Sequence, residues 1–215
     1  MPDGFFVDMG TREAQAESVR IAARFIRPAI DASRAAGIPI FHVEPASIAL
    51  KYDSVHFMLE PEDTRPPARP RSTEVNPGWN RERAERSHGK GYAQWDGWQQ
   101  LRILSSCDAE PGDQVILTGR QFDRILREQG IKNLVYTGFA TNVCILDSPA
   151  ATKEMLSLGY RIFLIREAAL AVEYPETFAS RMMTESALKF FELKVGDTIG
   201  FADYVEACGI VAERL

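Results

Sequence analysis

Cys144 is the residue of this 215-residue chain whose type and position best suit nucleophilic chemistry. It follows a short apolar run, Leu134 to Tyr136, which predicts a buried strand, and it lies near the start of a segment with helical spacing. A thiol at the start of a helix faces backbone N–H groups without intrahelical partners and the positive end of the helix dipole. Both effects favour the thiolate, the nucleophilic form. The alternative is a small buried cysteine without chemistry, which is the commoner fate of a free cysteine.

The segment that contains Cys144 predicts a strand, a turn and a helix. The strand ends at a Thr-Gly break, and the helix runs from about Asn142 until Gly159 stops it. Its apolar face would carry Val143, Leu146, Ala150, Met155 and Leu158. Cys144 is therefore expected at the junction between a strand and a helix.

The sequence around Cys144 resembles the signature of the isochorismatase-like cysteine hydrolases, which include nicotinamidases, carbamoylases and isochorismatases. The resemblance rests on G-F-A-T-N-V-C, followed by a helix and by G-Y-R-I-F-L-I, and weaker similarity extends from about Ile21 to Phe190. In that family the cysteine attacks a carbonyl carbon, usually that of an amide. The resemblance implies that Cys144 is the nucleophile.

The resemblance also implies how the oxyanion is held. The backbone N–H groups of Ala140 and Cys144 would form the oxyanion hole, with a cis peptide bond joining Phe139 to Ala140. A cis bond that does not involve proline costs about 3–4 kcal/mol. Such a bond is expected only where function requires it.

Asp8 is the candidate for the carboxylate that takes the proton from the cysteine. Members of the family normally open with a hydrophobic strand that ends in an aspartate, and this chain begins M-P-D-G-F-F-V-D-M-G. In one interpretation Gly4 to Val7 form a shortened first strand and Asp8 is the general base. In the other, this stretch is the loop after that strand, and Asp8 is a solvated carboxylate.

In the family, a lysine usually lies at the end of the strand that corresponds here to Q-V-I-L-T. The best-matching position is Thr118, which cannot carry a charge, and Arg120 nearby is a fork-shaped donor that does not replace an ammonium group. The aromatic segment H-G-K-G-Y-A-Q-W-D-G-W offers further pocket candidates, since aromatic side chains supply much contact area. Packing of these aromatics against the body of the protein is the alternative. The possible pocket residues are Lys90, Tyr92, Trp95, Thr118 and Arg120.

Neither a metal nor a cofactor is expected. Nicotinamidase-type relatives hold a metal with an Asp-x-His pair and further histidines, whereas His56 and His88 are isolated here.

The net charge of −5 and the absence of a basic stripe argue against binding to nucleic acid. No apolar run approaches the roughly 20 residues of a membrane span. Three widely spaced cysteines form no disulfide framework, so a cytoplasmic location is predicted.

Strands that alternate with helices of ten or more residues predict an α/β fold with a doubly wound, Rossmann-like, mostly parallel sheet flanked by helices. Such sheets bind ligands at the carboxyl ends of their strands, where Cys144 would lie. We expect one isochorismatase-like domain over residues 1–215. A proline-rich segment at about 60–86 is predicted to be an arm or a lid. Relatives usually form dimers or tetramers, so a homo-oligomer is expected.

The leading functional prediction is hydrolysis of a small carbonyl compound through a thioester on Cys144, with an amide C–N bond as the target. A catalytically silent relative that binds a small molecule or a partner protein is an alternative, favoured by the unassigned lysine. A second alternative is the vinyl-ether hydrolysis of isochorismatases themselves, which the presence of Cys144 disfavours. The sequence does not identify the substrate.

Overall fold

The structure is a computed structural model, and it describes residues 9, 11–52, 59–64, 82, 85–86 and 101–213. Four of the predicted site residues lie outside the described residues: Asp8, Lys90, Tyr92 and Trp95. Most of the proline-rich segment at 60–86 lies outside them as well, so its prediction as an arm or lid stays a prediction. The same holds for the single domain over 1–215.

The first described helices form one run with an interruption. They are α1 (Arg12–Ile21), a π-helical turn (Ala22–Ile26) and α2 (Arg27–Ala35). Pro28 has no N–H and cannot continue the ordinary hydrogen-bond ladder. The turn before it widens, and the N–H of Arg27 reaches back five residues to the carbonyl of Ala22. A proline inside a helical pattern disturbs that helix, and the structure shows the disturbance in the turn before Pro28.

The remaining described elements alternate between strands and helices. In chain order they are β1 (Phe41–Val43), α3 (Ala46–Ala49), β2 (Gln114–Ile116), α4 (Gly119–Glu128), β3 (Asn133–Phe139), α5 (Cys144–Asp147), α6 (Thr152–Ser157), β4 (Arg161–Leu170), α7 (Met182–Lys194), β5 (Asp197–Ile199) and α8 (Phe201–Ala212). Short 3₁₀ turns occupy Pro61–Thr64 and Ser105–Cys107. In the described chain no helix is both long and apolar enough to cross a bilayer.

The described strands form two parallel sheets, one with β1 beside β2 and one with the order β3-β4-β5. In register, Phe41 lies opposite Gln114, and Leu134 lies opposite Ile162. Parallel strands flanked by helices confirm the predicted fold class. The division of the described strands into two sheets was not predicted.

Helix α4 connects the two sheets along the chain. It leaves the carboxyl end of β2, and the chain then enters β3. Phe122 and Ile125 of this helix belong to one core cluster with Ile116 of β2 and Leu134 of β3. Within each sheet the strands are parallel, so the carboxyl ends of β1 and β2 lie at one edge of their sheet, and those of β3, β4 and β5 lie at one edge of theirs.

The single helix predicted from about Asn142 to Gly159 is wrong, because the chain forms α5 and α6 instead. Pro149 disfavours a helical backbone at the residue before it. Ser148 is accordingly extended, with φ −69° and ψ 162°, and α5 ends after four residues.

Ala150 supports the break between these two helices. Its φ of 61° lies in the left-handed region, which costs a non-glycine residue about 1–2 kcal/mol. Two hydrogen bonds hold it there. The Tyr136 hydroxyl donates to its carbonyl at 2.8 Å, and its N–H donates to the Glu154 carboxylate at 2.8 Å.

Candidate active site

Cys144 is the first residue of α5, so the structure confirms that it lies where a strand gives way to a helix. Its side chain is exposed, whereas Cys107 and Cys208 are buried. Since α5 has only four residues, its macrodipole is small. Backbone N–H groups, and not a long helix, would have to stabilise a negative charge on the sulfur.

A tight turn carries the chain from β3 to Cys144. The carbonyl of Ala140 accepts the N–H of Val143 at 3.0 Å and that of Ile145 at 3.2 Å. The N–H of Cys144 lies between these two donors in sequence and has no hydrogen-bond acceptor within the described parts of the chain. This N–H is available to a ligand oxygen.

The peptide bond between Phe139 and Ala140 is trans, as are all peptide bonds of the described residues. The expected cis bond is therefore wrong for this structure. A bond that does not involve proline is trans unless its surroundings offset about 3–4 kcal/mol. The backbone instead changes direction at Gly138, whose φ of +123° is accessible to glycine, and at a register shift between Tyr136 and Gly138 in the pairing with β4.

Asn142 fastens this turn to the segment that follows β4. Its side-chain oxygen accepts the N–H of Val172 at 2.9 Å, and its side-chain nitrogen donates to the carbonyl of Val172 at 3.1 Å. The N–H of Thr141 donates to the carbonyl of Leu170 at 3.0 Å. Three hydrogen bonds thus hold the residues directly before Cys144.

Glu173 fixes the start of α7 behind that segment. Its carboxylate is fully buried and accepts the backbone N–H groups of Met183 at 3.1 Å and Thr184 at 2.8 Å. It also accepts the hydroxyls of Thr184 at 2.8 Å and Thr177 at 2.6 Å. The Thr184 hydroxyl in turn accepts the N–H of Ala171 at 3.1 Å. A buried carboxylate needs such partners, and the helix N-terminus adds a favourable dipole.

Thr141 contributes a buried hydroxyl to the turn. The residue is fully buried, and its Oγ1 has no hydrogen-bond partner among the residues that the structure describes. An unsatisfied buried donor costs about 1–3 kcal/mol. This hydroxyl, one residue after Ala140, is a donor without a partner in the described part of the chain.

Two of the predicted pocket residues, Thr118 and Arg120, have other contacts in this structure. Thr118 is the N-cap of α4, and its Oγ1 accepts the N–H of Gln121 at 3.1 Å. Arg120 is exposed, and its guanidinium donates to the carbonyl of Glu62 at 3.4 Å. Thr118 nevertheless lies just beyond the carboxyl end of β2. A role for either residue toward a substrate stays a prediction.

Glu44, directly after β1, is a carboxyl group that sequence reasoning missed. Its N–H donates to the carbonyl of Ile116 at 3.3 Å, which continues the pairing of β1 with β2 by one residue. The residue is half-buried, and burial raises the pKa of its carboxyl group to about 7. An acidic residue directly after a buried strand was the signal that could have revealed it.

Met9 is the described residue next to Asp8. Its side chain is buried, and it belongs to the same core cluster as Ala140. No group of three His, Cys, Asp or Glu side chains in the described residues has the arrangement of metal ligands. The expectations about a metal and about Asp8 both stay predictions.

The parallel strands, the flanking helices and the exposed cysteine at a strand-to-helix turn place this protein among the α/β proteins. The isochorismatase domain matches residues 1–192, so this chain belongs to the isochorismatase family of hydrolases.

Two solved structures illustrate the shared fold. A cysteine hydrolase from Pseudomonas syringae pv. phaseolicola superposes with a TM-score of 0.60 at 13% identity, covering 97% of this chain and 91% of that one. An isochorismatase family protein from Desulfovibrio vulgaris gives a TM-score of 0.56 at 16% identity, covering 96% and 95% of the two chains. At these identities the likeness shows the fold alone.

The curated relatives are ureidoacrylate amidohydrolases. The RutB protein of Pantoea ananatis is 29% identical over 149 residues, which is 66% of this chain and 54% of that protein. The RutB protein of Pseudomonas savastanoi is 33% identical over 82 residues, which is 33% of this chain and 34% of that protein. The chain thus spans about half or less of the length of these relatives.

Proposed function

We propose that this protein hydrolyses a C–N bond of a small amide or ureido compound through a thioester on Cys144. The observation that carries the proposal is an exposed thiol on the first residue of α5, beside a backbone N–H that has no acceptor in the described residues. Both groups are needed for attack on a carbonyl carbon. Membership of the isochorismatase family supports this chemistry.

The reaction proceeds in two halves. The Cys144 sulfur attacks the carbonyl carbon, a general base takes the thiol proton, and the N–H groups of Cys144 and Ala140 hold the oxyanion. The C–N bond then breaks, and the nitrogen leaves with that proton as an amine or ammonia. Water attacks the thioester with help from the same base, which releases a carboxylic acid and restores the thiol. The sum is amide plus water to acid plus amine.

We assign the base to Asp8. Family members normally carry an aspartate at the end of their first strand, and the described residue next to Asp8, Met9, lies in the same core cluster as Ala140. Glu44 is the competing carboxyl group, because it directly follows β1 and burial raises its pKa to about 7.

The curated relatives support a substrate class for this proposal. They are amidohydrolases of ureidoacrylate, a small acid with a ureido group, and this chain matches part of each. We therefore place ureidoacrylate and similar carbamoyl or amide compounds first among the candidates.

A protein that binds such a compound without turning it over is the second candidate function. The observation that favours it is Thr118, which stands where relatives carry a lysine and whose hydroxyl caps α4. Such a protein would bind the compound without releasing ammonia.

A turnover assay tests the proposal. The purified protein is incubated with ureidoacrylate, nicotinamide and N-carbamoyl amino acids, and released ammonia is measured. Cys144→Ala should abolish release, whereas Cys107→Ala, which changes a buried thiol, should retain it. Equal release by wild type and Cys144→Ala would refute the proposal, and binding without release would favour the second candidate.

The same assay separates the two carboxyl groups. Asp8→Asn should lower the rate about 10²–10⁴-fold, which is the usual contribution of a general base. Glu44→Gln should then have a much smaller effect. The reverse pattern would assign the proton transfer to Glu44.

A further inference from the structure

We infer that Asn142 is a positioning residue, which holds Cys144 in its reactive place by clamping the turn to the backbone of Val172. The clamp consists of two hydrogen bonds, from Val172 N–H to Oδ1 at 2.9 Å and from Nδ2 to the Val172 carbonyl at 3.1 Å. Its consequence for turnover depends on the proposed function, but its effect on the thiol can be measured without any substrate.

The clamp is placed where the ordinary strand pairing ends. The register of β3 with β4 runs out at Phe139 opposite Leu170. Thr141 N–H still reaches Leu170, and Asn142 then extends the attachment to Val172 with a side chain in place of the backbone. Two residues later comes Cys144, on a helix of four residues. A helix this short contributes little rigidity of its own, so the turn depends on these attachments.

The partner of the clamp is itself fixed. Val172 lies between Ala171, whose N–H donates to Thr184 Oγ1 at 3.1 Å, and Glu173, whose buried carboxylate accepts four hydrogen bonds around the start of α7. A side chain can orient a reactive group only if its own partner is held in place. Through Val172 and its neighbours, Asn142 therefore attaches the turn before Cys144 to the first turn of α7, a helix of thirteen residues.

Gln121 is a matched control, because its carboxamide makes the same kind of contact elsewhere. Its Oε1 accepts the N–H of Leu117 at 2.7 Å, and its Nε2 donates to the carbonyl of Val115 at 3.2 Å. Gln121 is fully buried on α4, and these contacts fasten the end of β2 instead of the Cys144 turn. Its loss should lower stability without changing the environment of Cys144.

The experiment measures the rate at which iodoacetamide alkylates Cys144, by peptide mass spectrometry, at pH 7.0 and pH 9.5. The proteins are wild type, Asn142→Ala, Asn142→Asp and Gln121→Ala. Asn142→Asp keeps the acceptor for the Val172 N–H but sets an oxygen against the Val172 carbonyl, so it retains half of the clamp. If Asn142→Ala does not fold, the comparison is made with Asn142→Asp alone.

At pH 7.0 we expect Asn142→Ala to be alkylated about 3- to 10-fold more slowly than wild type, because the thiolate is the reactive form and its stabilisation depends on position. Asn142→Asp should also be slower than wild type, because it loses the bond to the Val172 carbonyl and adds a negative charge near the thiolate. Gln121→Ala should match wild type. At pH 9.5 the four rates should converge.

Two results would overturn the inference. One is equal alkylation of wild type and both Asn142 variants at pH 7.0. The other is an equal slowing in Gln121→Ala, which would make the effect a general loosening of the protein. Absence of amide turnover together with the expected alkylation pattern would refute the proposed function and leave the role of Asn142 intact.

Discussion

At the scale of single residues, the three cysteines differ in the ways that decide reactivity. Cys144 is exposed, and a backbone N–H without an acceptor in the described residues lies beside it. Cys107 and Cys208 are buried, and burial raises the pKa of the Cys107 thiol. Exposure and thiolate character together set the rate of attack on an alkylating agent.

Limiting iodoacetamide near neutral pH should therefore modify Cys144 first. Mass spectrometry of the digested protein gives the fraction of each thiol that is labelled. Unfolded protein in urea, in which all three thiols are exposed, is the control. Preferential labelling of Cys107 or Cys208 in the folded protein would count against a catalytic thiolate at Cys144.

Thr141 makes a prediction about stability. Its buried hydroxyl has no partner in the described part of the protein, so Thr141→Val should raise the free energy of unfolding by about 1 kcal/mol. Urea denaturation provides the measurement. Thr152→Val is the matched control, because the buried Thr152 hydroxyl donates to the Ile145 carbonyl at 2.6 Å and its loss should cost about 1–2 kcal/mol. A large loss in Thr141→Val would show that its hydroxyl has a partner.

Glu44 makes a prediction about pH. Burial raises the pKa of its carboxyl group in the folded state to about 7, above the value of the unfolded chain. The folded state thus holds the proton more tightly, and the contribution of Glu44 to stability falls as pH rises from about 4.5 to about 7. Glu44→Gln removes this fall.

Relative to wild type, Glu44→Gln should therefore gain about 1–3 kcal/mol in the free energy of unfolding between pH 4.5 and pH 8, given about 1.4 kcal/mol for each unit of pKa shift. Urea unfolding at the two pH values measures this gain. A difference between variant and wild type that is the same at both values would contradict the raised pKa.

At the scale of elements, two acidic residues accept hydrogen bonds at the starts of helices, and they differ in burial and in the number of bonds. The buried carboxylate of Glu173 accepts four hydrogen bonds at the start of α7. The exposed carboxylate of Glu167 accepts the N–H of Phe201 at 2.9 Å at the start of α8. An amide has one acceptor oxygen where a carboxylate has two.

Glu173→Gln should thus lower the free energy of unfolding by about 2–4 kcal/mol, because the new amide nitrogen faces hydrogen-bond donors in a buried site. Glu167→Gln, which keeps an acceptor at an exposed site, should cost less than about 1 kcal/mol. If urea denaturation gives the same loss of unfolding free energy for both variants, the burial of Glu173 does not increase its contribution to stability.

Local patterns predicted the elements that depend on neighbouring residues. The strand-to-helix junction at Cys144, the disturbed helix at Pro28 and the alternation of strands and helices all follow from short-range spacing. The end of α5 at Pro149 could have been predicted in the same way, since a proline inside a helical pattern breaks it. The clamp between Asn142 and Val172 could not, because it joins residues 30 positions apart.

At the scale of the whole molecule, the described strands lie in two parallel sheets. Glu44 and Thr118 follow the carboxyl ends of β1 and β2, and Cys144 follows the carboxyl end of β3. The family match and the solved structures agree with this architecture. The dimer or tetramer expected from relatives stays a prediction.

The most direct test of the account is to look for the acyl group on Cys144. The protein is mixed with the compound that the turnover assay finds active, ureidoacrylate first, and quenched in acid within the first turnovers. Peptide mass spectrometry should then find Cys144 carrying the acyl part of the substrate, and hydroxylamine should remove it, as expected of a thioester. Turnover with no adduct on Cys144, and with full activity in Cys144→Ala, would contradict the account.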